Sequence, residues 1–474
     1  MIKLTLAEVV GALNARPGGD VPALSVGGVS TDSRTTRAGD LFVAIPGERF
    51  DGHDFVAEAA RRGAVAVVVA EARASAVAER LRAAEPRPAR EPLLLAVDDT
   101  VAALGRLAAY HRRQTAAAVI AVVGSNGKTT TKAMIHHILS GRRPGRCSPK
   151  SFNNQIGVPL TLLSAEPGDE YLVVEIGTNA PGEVAALAAI AAPDLAVITG
   201  IGEEHLEKLG DLEGVAAEEC AILARLRPQG FAAVNGEAPQ IRPHLVSCTG
   251  VTVATFGRTA DADVRVTDVR YEDPWLHFRI NERFPLRLRL AGAHNALNAA
   301  GAVTVARRLG VDFDEAAVRL ETFVPPPMRN EILDIGPITV INDAYNANPQ
   351  SAAAAIETLR QMPCRGRRIA VFGEMRELGA QAAALHRRVG ALLRGSGIER
   401  VVLVGAATEP MYAALTEDGL FGPAVERCAD VAECGRRLAA SVAAGDVVLL
   451  KASRAVELDR VVEALRASGV AAVG

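Results

Sequence analysis

The sequence is short of three things, and each shortage excludes a class of function. Aromatic residues occupy only 4% of its 474 positions and the formal net charge is -3, so it offers neither the stacking platforms nor the basic field that nucleic-acid binders use. Six cysteines are scattered at Cys147, Cys220, Cys248, Cys364, Cys428 and Cys434. None forms a Cys-x-x-Cys pair, which argues against a zinc site and a disulfide framework. Mean hydropathy is positive at +0.16, yet no apolar run approaches the roughly 20 residues of a membrane span. Residues 1–5 lack the basic stretch, apolar block and small-residue cleavage site of a secretion signal. The expectation is a cytoplasmic monomer with no nucleic-acid partner and no membrane span.

Lysine is scarce as well. Of 52 basic residues only Lys3, Lys128, Lys132, Lys150, Lys208 and Lys451 are lysines, so arginine supplies generic positive charge. A lysine kept inside a glycine-rich loop then points to a need for a compact ammonium that a planar guanidinium does not meet.

At this length several domains are expected rather than one core. β-like runs at 41–45, 64–70 and 93–97 alternate with helical stretches at 54–62 and 72–84, which reads as a small α/β unit closed by a loop at 86–92. A helix over about 99–113 leads into a second unit, where strands at 118–123, 171–176 and 195–199 predict a mostly parallel sheet with crossover helices. Beyond Pro325-Pro326-Pro327, strands near 338–342, 368–373, 400–404 and 446–450 alternate with helices near 349–361, 381–394, 430–442 and 455–467, the pattern of a doubly wound third unit. The expected units are therefore 1–97, 98–325 and 326–474.

The strongest local signal is a strand that opens through Gly124-Ser125-Asn126-Gly127-Lys128-Thr129-Thr130-Thr131 into a helix. Such a loop aims backbone N–H groups and a helix dipole at phosphates, with Lys128 reaching the β and γ phosphates and Thr129 able to ligate Mg²⁺. The spacing is G-x-x-G-K-T-T, because Val122 stands where the general phosphate-loop pattern has its first glycine. Glu175 and His205 each follow a strand beside this loop, where side chains point into the crevice at the carboxyl edge of a sheet. Asn295 and Asn298, at i and i+3 on the next helix, can read the edge of a purine or a ribose, or simply cap that helix. Arg329 and the segment Asp343-Ala344-Tyr345-Asn346-Ala347-Asn348-Pro349 sit at the mouth of the third sheet, so that an arginine from another unit would meet a γ-phosphate when the units close.

Together these residues resemble the Mur ligase superfamily, over essentially the whole chain. The resemblance implies an α/β protein with the three-domain Mur ligase architecture: a small N-terminal α/β domain, a central P-loop ATPase domain and a C-terminal Rossmann-like domain. Ser30-Thr31-Asp32-Ser33-Arg34 and Gly47-Glu48-Arg49-Phe50-Asp51-Gly52-His53 resemble a uridine-binding domain, or, as isolated turns, Asx-type loops. Asp343 to Pro349, Phe372-Gly373-Glu374-Met375-Arg376-Glu377-Leu378-Gly379 with His386, and Lys451-Ala452-Ser453-Arg454 resemble the dipeptide-adding branch. The Asp-Asn-Pro-Arg type motif of the diamino-acid-adding branch is missing.

The resemblance implies ATP-dependent, Mg²⁺-assisted ligation of D-alanyl-D-alanine to UDP-N-acetylmuramoyl-tripeptide through an acyl phosphate, in peptidoglycan precursor synthesis. It implies catalytic roles for Lys128, Glu175, His205 and Arg329. Nucleotide contacts would come from residues 124–130, Asn295, Asn298, Arg329 and Asp343, and contacts to the UDP-sugar peptide and dipeptide from Ser33, Arg34, Asp51, His53, Asn153, Asn154 and Asn346. Metal ligands would be Thr129, Glu175, His205 and Glu219. Two departures stand out: Val123 replaces a usual Thr, and Glu219 stands where the family carries a lysine that becomes carbamylated and helps hold a second Mg²⁺. Glu219 is expected to present the same carboxylate from a shorter arm. The competing readings are another ligase of the superfamily, diamino-acid-adding or folate-polyglutamylating, and a nucleotide-dependent switch; for the switch, no Asn-Lys-x-Asp motif is present.

Overall fold

The computed structural model describes residues 4–87, 90–246, 248–417 and 422–468. Residues 1–3, and positions 88 and 89 of the expected 86–92 loop, lie outside them. The described residues build three main sheets, in chain order.

The first sheet runs Arg16–Pro17, Leu93–Val97, Ala66–Ala70, Asp40–Val43, Gly28–Ser30. All neighbours are parallel except the first pair. Its β-branched strand Ala66–Ala70 is buried from Ala66 to Val69, which is why it reads as a continuous apolar run instead of an alternating one. The helices seen here, Val56–Arg61 and Ala74–Arg82, are shorter than expected because each is preceded by a 3-10 turn, Gly52–Phe55 and Glu71–Arg73.

The central sheet places Ala118–Val123 between Leu195–Ile198 and Tyr171–Glu175, all parallel. Residues 119–123 are wholly buried, as a strand covered by helices on both faces must be. On one side the sheet continues in parallel through Phe231–Asn235 and Thr252–Gly257 to Val264–Glu272, and then turns antiparallel through Trp275–Ile280 and Phe284–Leu288. That antiparallel extension is absent from the sequence expectation. Its turn passes through Asn281 and Glu282, both with positive φ, a conformation common at hairpin turns.

The third sheet has the order Glu331–Ile335, Ile338–Asn342, Val447–Lys451, Arg368–Phe372, Arg400–Val404, Ala424–Cys428. It is parallel apart from the leading hairpin. Helix Pro349–Gln361 begins where expected: Asn348 caps it, accepting from Ser351 N, and proline occupies the first turn, where its missing N–H costs nothing.

The units are tied together by shared cores and by buried polar contacts. Within the central unit, helix Thr100–Gln114 is held by Arg112, whose guanidinium donates to Ala191 O and Ala192 O, each at 2.9 Å, and to Asp194 Oδ2 at 2.7 Å. Asp194 Oδ2 in turn accepts from Val119 N at 2.9 Å, fixing the start of the central strand. Asp194 is partly exposed and keeps a second cation in Arg227 at 3.3 Å, so losing Arg112 falls chiefly on the Ala191 and Ala192 carbonyls, which would lose their donor. Arg112→Leu is therefore expected to lower stability by about 2 kcal/mol, read as a drop in the urea midpoint; an unchanged midpoint would show that the helix is held by packing alone.

Candidate functional site

Two glycines shape the phosphate loop because no side chain fits at either. Gly124 has φ +117, and a Cβ there would lie 2.4 Å from Thr199 Oγ1; Gly127 has φ +81, and a Cβ there would lie 2.2 Å from Asn298 Oδ1. The loop is thus pressed between the end of strand Leu195–Ile198 and the face of helix His294–Arg308. Gly124 N donates to Glu219 Oε2 at 2.8 Å and Ser125 N to Gly200 O at 2.9 Å. Helix Lys128–Leu139 starts immediately after Gly127, so its first-turn N–H groups have no partner within the helix and face outward as an anion site.

Lys128 and Lys132 lie four residues apart on one face of this helix. Both meet buried carboxylates. Lys128 Nζ donates to Gly124 O and stands 3.8 Å from Glu204 Oε1, while Lys132 Nζ lies 3.0 Å from Glu175 Oε2 and also donates to Lys150 O. Burial works against the Lys128 charge, but Glu204, Glu219 and Glu175 outweigh it and hold its pKa above the ordinary lysine value. Glu175 Oε1 accepts from Thr129 Oγ1 at 3.2 Å and from Asn153 Nδ2 at 3.1 Å. Burial pushes the Glu219 carboxyl up to about 7 against the pull of Lys128.

The third unit covers the loop. Arg329 donates to Thr129 Oγ1 at 3.1 Å, and its guanidinium lies over the Tyr345 ring at 3.8 Å from the centroid. Tyr345 in turn contacts Ser151 of the central unit. Between the units lies a cavity of about 870 Å³. Lys128, Glu175, His205 and Arg329 all line it, together with Asn295, Asn298, Asn153, Asn154, Asp343 and Asn346.

Several expected ligand contacts are occupied by the protein itself. Asp343 accepts from Lys451 Nζ at 2.5 Å and from Asn330 N at 3.1 Å. Asn295 donates to Ala291 O at 2.8 Å and accepts from Asn298 at 3.0 Å. Among the described residues of the first unit only Ile45 and Pro46 line the cavity. Ser33 donates to Glu58 Oε2 at 2.8 Å and Arg34 pairs with its neighbour Asp32 at 2.7 Å. Asp51 caps the following turn and sits 2.6 Å from His53 Nδ1, while His53 Nε2 accepts from Ala70 N at 2.9 Å. Both ring nitrogens of the buried His53 are therefore engaged, and these four side chains stand outside the cavity.

The four expected metal ligands do not converge as one set. Thr129 and Glu175 lie together, but His205 Nδ1 forms an ion pair with Glu377 of the third unit, and Glu219 turns Oε2 to the loop backbone. Among the described residues no group of three or more His, Cys, Asp or Glu side chains is arranged to hold a metal ion. Thr129 Oγ1 and Glu175 Oε1 nevertheless fit a hard cation, since their 3.2 Å separation is close to the roughly 3 Å edge of a magnesium octahedron. The buried Oε1 atoms of Glu204 and Glu219 also lack hydrogen-bond partners.

Three contributors escape the sequence reading. Lys132 was detectable as a second rare lysine at i+4 from Lys128. Glu204 precedes His205 and was hidden by its exposed-looking Glu-Glu context. Glu377 belongs to a different unit from its partner His205, and nothing local in the sequence connects them.

Comparison with known proteins places this geometry. Residues 25–112 match the Mur ligase family catalytic domain, 122–306 the Mur ligase middle domain, and 328–454 the Mur ligase glutamate ligase domain. The UDP-N-acetylmuramoyl-tripeptide–D-alanyl-D-alanine ligase of Bacillus subtilis strain 168 is 34% identical over 98% of this chain and 99% of its own. Its counterpart in Escherichia coli K12 is 33% identical over 99% and 100%. Among solved structures, MurF from Acinetobacter baumannii superimposes with a TM-score of 0.86 at 29% identity, covering 98% of this chain and 99% of that one. MurF ligase from Thermotoga maritima in complex with ADP gives 0.78 at 29% identity, covering 93% and 97%. A phosphate loop pressed among buried carboxylates, capped by an arginine from a third unit and matched along nearly the whole chain, has one account: the chain belongs to the Mur ligase family.

Proposed function

We propose that the chain joins D-alanyl-D-alanine to UDP-N-acetylmuramoyl-tripeptide with hydrolysis of ATP to ADP and phosphate. The observation that carries this reading is the meeting of Arg329 with Thr129 at 3.1 Å, which brings the third unit onto the phosphate loop of the second. The relatives at 34% and 33% identity, both named for this reaction, support it. The units are taken as 1–97 for the UDP-substrate, 98–325 for ATP and 326–474 for the dipeptide and closure.

A carboxylate resists attack by an amine, because it is anionic and would have to expel oxide. Transfer of the γ-phosphoryl group to the tripeptide carboxylate gives an acyl phosphate and ADP; the dipeptide amine then attacks the acyl carbon and phosphate leaves. Lys128 and Arg329 are placed to neutralise charge on the phosphoryl group as it moves. The backbone N–H groups opening helix Lys128–Leu139 bind the phosphates, and the enclosed cleft orients the three substrates. Mg²⁺ is proposed at Thr129 and Glu175, where it would supply further positive charge against the phosphates. His205, whose Nε2 stands 3.7 Å from Glu204 Oε2, and Glu219 are proposed as neighbours of a second ion.

Glu219 needs no carbon dioxide to carry a carboxylate. Ligation is expected to keep its rate when bicarbonate and dissolved CO₂ are removed; a fall restored by adding bicarbonate would overturn this reading of Glu219.

Phosphate release should require UDP-N-acetylmuramoyl-tripeptide, D-alanyl-D-alanine and ATP together, and should not be supported when a single amino acid replaces the dipeptide. Lys128→Ala is expected to slow it by about a thousandfold, the scale of losing a charge-stabilising group from a closed site. Near-normal ATP-dependent ligation by that variant would contradict the assignment.

A further inference from the structure

The side chain of Asn126 does not face the interior of its own loop. Its Nδ2 donates to Gln350 Oε1 at 2.8 Å, and its Oδ1 accepts from Asn348 Nδ2 at 3.0 Å. Both partners belong to the third unit, at the start of helix Pro349–Gln361. A primary amide with one oxygen and one nitrogen engaged on the same opposing element has a fixed orientation, since flipping it would set donor against donor and acceptor against acceptor.

Two members of this clasp, Asn348 and Asn126, are independently held. Asn348 Oδ1 accepts from Ser351 N at 2.8 Å as the helix cap, so the side chain that reaches the loop also anchors the helix. The Asn126 carbonyl accepts from Thr199 Oγ1 at 2.5 Å. Gly202 leaves the space: a Cβ there would stand 2.3 Å from Gln350 Oε1 and 3.3 Å from Asn126 Nδ2. Asn126, Asn348 and Gln350 all line the cavity.

We infer that the Asn126 carboxamide is a positioning residue: its clasp with Asn348 and Gln350 sets the third unit in register on the phosphate loop and so delivers Arg329 to Thr129. In the proposed site the phosphates that ADP retains meet the loop backbone and Lys128 of the central unit, whereas Arg329 of the third unit meets the γ-phosphate, which ADP lacks. The clasp therefore acts on closure and turnover and leaves nucleotide affinity largely alone. Its kinetic consequence rests on the ligase reading; its structural consequence does not.

The test uses the full chain and the variants Asn126→Ala, Gln350→Ala, Asn348→Ser and their combination. Serine at 348 retains an effective helix cap but cannot reach the loop, and Gln350 is exposed on a first helical turn, so folding is spared. In ligand-free protein, amide hydrogen exchange is followed at residues 124–131 and 343–352. Each variant is expected to raise exchange about tenfold, the scale of losing one or two neutral hydrogen bonds, in the segment across the interface as well as in its own. The combination is expected to go no further than the strongest single variant. Exchange that rises only in the mutated segment, or effects that multiply on combination, would overturn the inference. In the second arm, run on Gln350→Ala and Asn348→Ser, which lie outside the phosphate loop, kcat is expected to fall at least tenfold while the dissociation constant of ADP stays within threefold; equal losses in both would also overturn it. If wild-type protein shows no ligation at all, the ligase reading fails, and the exchange measurements still decide the clasp.

Discussion

The constraint on which the rest of the structure depends is the burial of three carboxylates, Glu175, Glu204 and Glu219, around one helix start. Taking like charges out of water together is unfavourable unless cations share the site. Lys128 and Lys132 provide them, one turn apart on the same helical face, and the loop must then be small enough to let the helix start come this close. That accounts for both glycines: Gly124 clears Thr199 and Gly127 clears Asn298. It also accounts for the choice of lysine in a chain that otherwise uses arginine, because a compact ammonium fits between carboxylate and backbone carbonyl where a guanidinium would not.

The charges explain how the third unit is received. Glu175 is matched by Lys132 and Glu204 by Lys128, whereas Arg329 meets no carboxylate and instead rests on the Tyr345 ring and Thr129. A cation held by a ring face and a hydroxyl remains available to an anion entering the cavity. The wider interface mixes contact types: Arg388 with Glu203 and His205 with Glu377 are ionic, and the Asn126 clasp is neutral. Ionic contacts weaken with salt, and that of His205 also with loss of its proton. Neutral amides respond to neither, so they are suited to setting register.

The inner parallel strands and the phosphate loop were legible in the sequence because their signals are local, whereas the parallel strands Gly28–Ser30, Phe231–Asn235, Thr252–Gly257 and Ala424–Cys428 were not anticipated. Buried β-branched runs, glycines at fixed offsets and the Asn348-Pro349 helix start each carry their meaning within a few residues. The antiparallel strands from 264 to 288 were not, since their alternating, arginine-rich pattern resembles solvated loop and their pairing is set by a turn without a glycine at its centre. The site divides in the same way. Lys128, Thr129, Glu175 and Arg329 were legible from strand ends and motif spacing. The partners Lys451 of Asp343 and Glu377 of His205 were not, because each comes from a distant segment that only the folded chain brings near.

The first unit shows how a motif can shape a cavity that its side chains do not line. The turn through Asp51, Gly52 and His53 packs directly on the end of strand Asp40–Val43: a Cβ on Gly52 would stand 2.6 Å from Ile45 N. Asp51 caps the turn and orients His53, whose Nε2 accepts from Ala70 N on the neighbouring strand, while Arg73 pairs with Asp51 at 3.1 Å. These bonds hold residues 44–46 in place, and Ile45 and Pro46 are the part of this unit that reaches the cavity wall. A polar motif buried against a strand end therefore fixes the position of an apolar wall, and the residue types it needs are those of a capped turn. Seen only as a string of Asp, Gly and His, the same residues look like ligand contacts; in the fold they also cap a turn and tie it to two strands.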